Sequence, residues 1–269
     1  MQIGAAVKVI LLAVVVVASA AGTLEVKHVL GARSSGPDLS KLPPVTEVSP
    51  TVAPSPTAES TPLPSPSPTP LPAAFRLGVP FTTQAPLGDW AKHQNSCEEA
   101  NLLQVDAYWK GDRSSTLDPN AAEKGIADLV AWQVRTWGSE DDLTNKRLGE
   151  LAAQYYGYQY EIQPMSEEGM KRAIVNGIPV VLGVTTHGLG NPHYPNYQAH
   201  YLVLGYSVSH YVTIVGYDDQ GFILNDPGIT PGHGYHVLYE RLAFAVDNLD
   251  QQRPTLNEGR VMLLIRPKQ

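Results

Sequence analysis

Between residues 34 and 72, proline, serine and threonine dominate, and Ser65-Pro66-Ser67-Pro68-Thr69-Pro70 alternates proline with small hydroxyl residues. Proline lacks a backbone N–H and fixes φ, so neither a helix nor a central strand can run through such a stretch. Its only charged residues are Asp38, Lys41, Glu47 and Glu59. The stretch has too few apolar side chains to bury a core and reads as an extended, semi-rigid spacer. A globular fold in this 269-residue chain is thereby confined to residues 74–269, the length of one ordinary domain.

The segment ahead of the spacer reads as a targeting signal. Lys8 precedes an apolar run over 9–17, followed by Ala18-Ser19-Ala20. A positive start, a short apolar stretch and small residues describe a secretory signal peptide. The run falls short of the roughly 20 residues that span a bilayer. Residues 3–7, with Lys8 snorkelling, would extend it into an uncleaved anchor. The expected organisation is a signal peptide or membrane anchor over 1–22, a linker over 23–73, and a domain over 74–269. The expected location is outside the cell or anchored at its outer surface.

Net charge is −7, from 19 Lys+Arg against 26 Asp+Glu, and no basic run occurs. Nucleic acid is therefore not an expected partner, because phosphate binding needs clustered cations. A single cysteine, Cys97, rules out an intrachain disulfide and a cysteine-rich zinc site.

Within the domain, residues 77–81 read as a short strand. Residues 96–110, 118–135, 144–156 and 166–176 read as helices, with glycine or proline stops. Apolar runs over 179–185, 201–205, 211–217, 222–225 and 261–265 read as strands. Helices come first and strands later, which predicts an α+β fold with a helix on an antiparallel sheet.

Ser96-Cys97-Glu98-Glu99 opens the first helix. Ser96 with Glu99 three residues on has the form of a capping box. Cys97 would then stand at the first helical position, where the dipole favours a thiolate. Glu98 and Glu99 oppose that charge, so an imidazolium partner is needed. A free cysteine is most often a small buried apolar residue. An unpaired thiol in an exported protein argues instead for a nucleophile.

His210 heads a strand that turns at Asp218-Asp219-Gln220-Gly221 into a second strand ending at Asn225-Asp226-Pro227-Gly228. The hairpin brings His210 and Asp226 near one end, where a carboxylate can fix the imidazole tautomer. A regular register puts Asp226 two or three positions inside the strand from His210, and its parity depends on the turn. His200 heads a similar strand and is the competing base. The bland alternatives are a histidine at a strand rim and a turn that needs no function.

Taken together, Cys-x-x-Ala at a helix start, His-Tyr-Val-x-x-x-Gly-Tyr-Asp, Asn-Asp-Pro-Gly and Val79-Pro80-Phe81-Thr82-Thr83-Gln84 resemble the bacteriocin-processing (double-glycine leader) peptidases and their stand-alone relatives. The likeness runs over about residues 77–267. It implies a papain-like cysteine peptidase fold with Cys97, His210 and Asp226 as the triad. It also implies an oxyanion-hole glutamine before the cysteine: Gln84 is preferred because it matches the Val-Pro-x-x-x-Gln entry motif, although an insertion over 85–93 separates it from Cys97, and the nearer Gln94 is the alternative. The chain departs from the processing peptidases at Glu98, where they usually carry glycine, and in having no attached transporter.

The expected activity is hydrolysis of a peptide or protein substrate through an acyl-enzyme, with no cofactor. A peptidoglycan-directed amidase or endopeptidase, an acyl transferase of transglutaminase kind, and an inactive surface peptide-binding module are the alternatives. Cell-wall association and membrane contact through the N-terminus go with the exported location. His187, His193, His200, His233 and His236 lie in loops without an i,i+4 pair, so a metal site is not expected. Trp90, Trp109, Trp132 and Trp137 read as core and groove wall, and Tyr194, Tyr197 and Tyr206 as cleft lining. Glu150 and Glu161 form no glycosidase-like pair.

Overall fold

The computed structural model describes residues 70–191, 208–229, 231–253, 256 and 259–268. The expected signal or anchor, the spacer up to residue 69, the strand over 201–205, His193, His200, Tyr194, Tyr197 and Tyr206 lie outside the described residues.

The helices begin where the sequence supplies caps. α1 spans Cys97–Trp109. α2, Pro119–Trp137, starts on Asp118, whose side chain accepts from Ala121 N, and stops at left-handed Gly138. α3, Asn145–Leu151, starts on Thr144 and runs on through a π-helical turn, Ala152–Tyr156, to Gly157. α4, Glu167–Val175, is capped by Ser166 accepting from Gly169 N. A short α5, Thr186–Leu189, and a long α6, Tyr239–Gln252, complete the helices. The helix α6 was not anticipated, although Leu242, Ala245, Val246 and Leu249 follow helical spacing along it.

Seven strands form one antiparallel sheet: β1 Phe75–Arg76, β2 Gln159–Pro164, β3 Val180–Thr185, β4 Ser209–Tyr217, β5 Phe222–Asn225, β6 Tyr235–Val237 and β7 Val261–Arg266. Their order is β2-β7-β3-β4-β5-β6, with β1 also paired to β4. The expectation of a strand over 77–81 needs correction. Regular pairing ends at Arg76, and Phe81 makes only an isolated bridge to Thr116. Gly78 and Pro80 explain this, because one carries no side chain and the other no N–H. Strand β2 precedes α4, and α6 follows β6, so helices and strands are less segregated than the sequence suggested.

Period-two alternation gives the sheet two apolar faces. Val180, Leu182 and Val184 of β3 join Val212 and Ile214 of β4 under Met170 and Ile174 of α4 and Leu242 and Val246 of α6. On the other face Val181, Tyr211, Leu263 and Ile265 pack with Leu102 and Val105 of α1, Leu129 of α2 and Leu148 and Leu151 of α3. Fully burying each such side chain contributes about 1.5–3 kcal/mol. β4 is buried along nearly its whole length, so groups carried at its start have a rigid mount. The fold is α+β, with the N-terminus of α1 against an antiparallel sheet. Trp109, Trp132 and Trp137 pack on the core as anticipated.

Candidate active site

α1 is joined to β4 by a buried amide. Asn101 Nδ2 donates to Cys97 O and to Tyr211 O, each at 2.8 Å, and its Oδ1 accepts from Thr213 Oγ1 at 2.6 Å. This places the first turn of α1 beside the start of β4. Cys97, at the helix start, and His210, in β4, line one cleft of about 590 Å³. Gln84, Trp90, Gln94, Thr186, Val208 and Gly228 line it as well. Cys97 is buried, but it faces this cleft rather than a sealed apolar interior.

The anticipated capping box is absent. Ser96 makes no side-chain cap, and its Oγ lies 3.2 Å from His93 Nδ1. Glu99 does not reach back either; it takes Gln133 Nε2 of α2. His93 Nε2 also meets Glu123 Oε1 at 2.9 Å, so the approach to Cys97 is tied to α2 by a buried histidine. The cysteine is placed by tertiary contacts in place of a local cap.

His210 Nε2 lies 2.8 Å from Asp226 Oδ1 in the buried interior. The hairpin register explains how they meet. Tyr217 faces Phe222 and Gly216 faces Ile223, but beyond a bulge at Val215 the pairs become Ile214 with Leu224 and Thr213 with Asn225. Continued one step, this register sets Asp226 level with Val212, on the same face as His210. Without the bulge Asp226 would face Thr213, whose side chain points to α1. The diagonal separation of two residues is short enough for a carboxylate to span.

Asp226 is held on several sides. Gly228 N donates to Oδ1 at 3.1 Å and Asn191 Nδ2 to Oδ2 at 3.3 Å. Its backbone N donates to Gly232 O at 2.8 Å. A Cβ on Gly232 would overlap Asp226 O, so this close return of the chain requires glycine. Asn191, 35 residues from Asp226, carries no sequence signal that would have marked it. The contact with Asp226 uses Nε2 of the ring and not Nδ1.

Gln84 is buried at the cleft, and its Nε2 donates to His93 O at 2.7 Å and Gln94 O at 3.2 Å. Both amide protons thus hold the chain ahead of α1. The Gln94 side chain is exposed on the same cleft.

The thiol has an unanticipated partner. Cys97 Sγ donates to Glu98 Oε2 at 2.8 Å, and Glu98 Oε1 accepts from Leu143 N at 3.0 Å. Burial pushes the Cys97 thiol well above its ordinary pKa, and the Glu98 charge adds to the rise. Burial likewise raises Glu98, against the hydrogen bonds from Cys97 and Leu143. Burial and the neighbouring carboxylates thus oppose the stabilisation that the α1 dipole offers a thiolate.

Among the described residues, no group of three or more His, Cys, Asp and Glu could hold a metal ion. His233 stacks on Phe81, and His236 Nε2 meets Asp218 Oδ1 at 2.9 Å. No described helix is long and apolar enough to cross a membrane.

The model of the Peptidase_C39 like family matches residues 76–246. Among solved structures, a candidate C39-like peptidase from Bacillus anthracis aligns with a TM-score of 0.46 at 17% identity, covering 73% of this chain and 99% of that one. No curated protein matches the chain.

Proposed function

The chain belongs to the Peptidase_C39 like family, a family of papain-like cysteine peptidases and their relatives, and from that premise we propose that it is an exported enzyme hydrolysing peptide bonds through Cys97, His210 and Asp226. The observation that carries this reading is the buried His210–Asp226 pair, 2.8 Å apart, at a cleft whose wall includes the lone thiol.

His210 Nδ1 takes the Cys97 proton, and the thiolate attacks the substrate carbonyl carbon. Asp226 holds Nε2–H, orients the ring and stabilises the imidazolium. Developing negative charge on the carbonyl oxygen is met by backbone N–H groups at the start of α1, which have no intrahelical acceptor. Gln84 adds a donor if it exchanges one of its two carbonyl partners for the oxyanion; Gln94 is the alternative on the same cleft. His210 then protonates the leaving amine, and water, deprotonated by the same nitrogen, hydrolyses the acyl-enzyme. No step needs a cofactor.

The substrate is a peptide or protein met outside the cell, with the N-terminal segment and spacer holding the domain near a membrane or wall surface. Incubation of the protein with a peptide library, read by mass spectrometry, tests the reading. New termini are expected with wild type and none with Cys97→Ser. A parallel incubation with purified cell wall distinguishes soluble peptide from wall peptide as the preferred substrate. Cleavage undiminished in Cys97→Ser would overturn the proposal.

A further inference from the structure

The carboxylate touching the thiol is gripped from two directions. α1 carries Glu98, the segment ahead of α3 donates Leu143 N–H to Oε1, and Cys97 donates to Oε2. The Glu98 side chain is only 3% exposed. Swinging it away would strand Leu143 N–H in the interior, and an unsatisfied buried donor is costly. Cys97 thus donates its one proton to Glu98, while His210 lines the same cleft.

We propose that Glu98 is a positioning residue that retains the Cys97 proton in the resting protein and competes for it with His210, so that the thiolate forms only when the Sγ–Oε2 hydrogen bond breaks. The inference rests on Cys97 being the nucleophile. The step moves one proton from Sγ to His210 Nδ1 and makes no bond to carbon; Glu98 keeps Leu143 N–H throughout.

The surrounding charges favour retention. Glu99 stands next along α1. Asp142 stands ahead of α3, where it is paired with Arg253 Nη2 at 2.9 Å and accepts from Ser209 Oγ at 3.1 Å. From β4 come His210 itself and the Tyr211 hydroxyl, which donates to Leu143 O at 3.0 Å. Glu98 and, more weakly, Glu99 add to the rise that burial imposes on the thiol, and a backbone hydrogen bond from Tyr211 opposes it.

Thiolate ultraviolet absorbance, taken as the difference between wild type and Cys97→Ser across pH, reads the titration directly. Alkylation of Cys97 by iodoacetamide reads reactivity. Wild type is expected to stay a thiol through neutral pH. Glu98→Gln still accepts from Leu143 but loses the negative charge. Its titration is expected about one pH unit lower, with alkylation near neutral pH about tenfold faster. Glu98→Asp, which keeps the charge but withdraws it by one methylene, is expected between the two. A purely structural Glu98 would alter stability and leave the thiol titration in place. A thiolate already present at neutral pH in wild type overturns the proposal without requiring any position-98 variant to fold. So does a Glu98→Gln titration coincident with wild type. If Cys97 reacts but position 98 has no effect, only this inference fails. If Cys97 of folded wild type is inert at every pH, the peptidase reading fails with it.

Discussion

Glu99 follows Glu98 on α1 and lies wholly inside, between that helix and Gln133 of α2. Burial, aided by the Glu98 charge, raises its carboxyl from 4.5 to about 8. Between those values the folded state binds more protons than the unfolded one, so stability falls as pH rises. The stability is fully present below about 4.5 and the loss is complete above about 8. Glu99→Gln is expected to flatten this dependence, narrowing the gap between melting temperatures measured near pH 5 and pH 9; an unchanged gap would contradict it. At Asp226, Asn keeps the size but not the charge. We expect Asp226→Asn to lower kcat by roughly 10²–10⁴ with little change in melting temperature, as found for a tautomer-fixing carboxylate. These two positions differ in legibility. Asp226 stood out because Asn-Asp-Pro-Gly ends a hairpin strand, whereas the Ser96/Glu99 spacing suggested a local cap that the structure replaces with contacts to His93 and Gln133. A three-residue spacing cannot report partners 34 residues away.

At the scale of elements, the hairpin of β4 and β5 decides whether the histidine and carboxylate meet. Its turn is stabilised by Asp218 Oδ1, which accepts from Gln220 N at 2.9 Å and Gly221 N at 3.0 Å. The turn residues were evident in the sequence. The Val215 bulge was not, since nothing in Ile214-Val215-Gly216 distinguishes a bulge from a regular strand. Deleting Val215 would make the pairs Gly216–Ile223 and Ile214–Leu224 consecutive and leave Asp226 level with Val212, so peptide cleavage is expected to survive the deletion; its abolition in a folded variant would sink the register argument. Asn101 performs the equivalent task for α1: Asn101→Ala would leave Tyr211 O and the Thr213 hydroxyl without that partner, an expected loss of about 1–3 kcal/mol in denaturant unfolding. Caps and stops made α2, α3 and α4 readable to within a few residues. β6 escaped because Tyr235-His236-Val237 is too short to show a period, whereas β2 escaped although Tyr160 and Ile162 alternate with Gln159, Glu161 and Gln163 along it.

For the molecule as a whole, stability resides in the two apolar faces of one sheet, closed at its margin by β1. A backbone bond from Leu77 N to Val215 O and a side-chain bond from the Tyr217 hydroxyl to Pro72 O tie that margin to β4. A fragment of residues 70–269 is therefore expected to melt within a degree or two of the full chain, and one starting at residue 80 to melt clearly lower. The α+β class was readable because helical periodicities crowd the first part of the domain and strand periodicities the later part. The His210–Asp226 pair and a cleft lined by both Cys97 and His210 were readable only in part, through the hairpin and the likeness of the motifs, because packing that no local pattern encodes brings positions 113 residues apart to one cleft; the triad itself is the proposed convergence. That convergence is the central claim, and the most direct measurement of it is the rate at which a thiol-reactive epoxide labels Cys97 in folded wild type and in folded His210→Ala. The account predicts labelling confined to Cys97 and slowed at least about tenfold by loss of the imidazole. Equal rates in the two proteins, or no labelling of folded wild type, would contradict it.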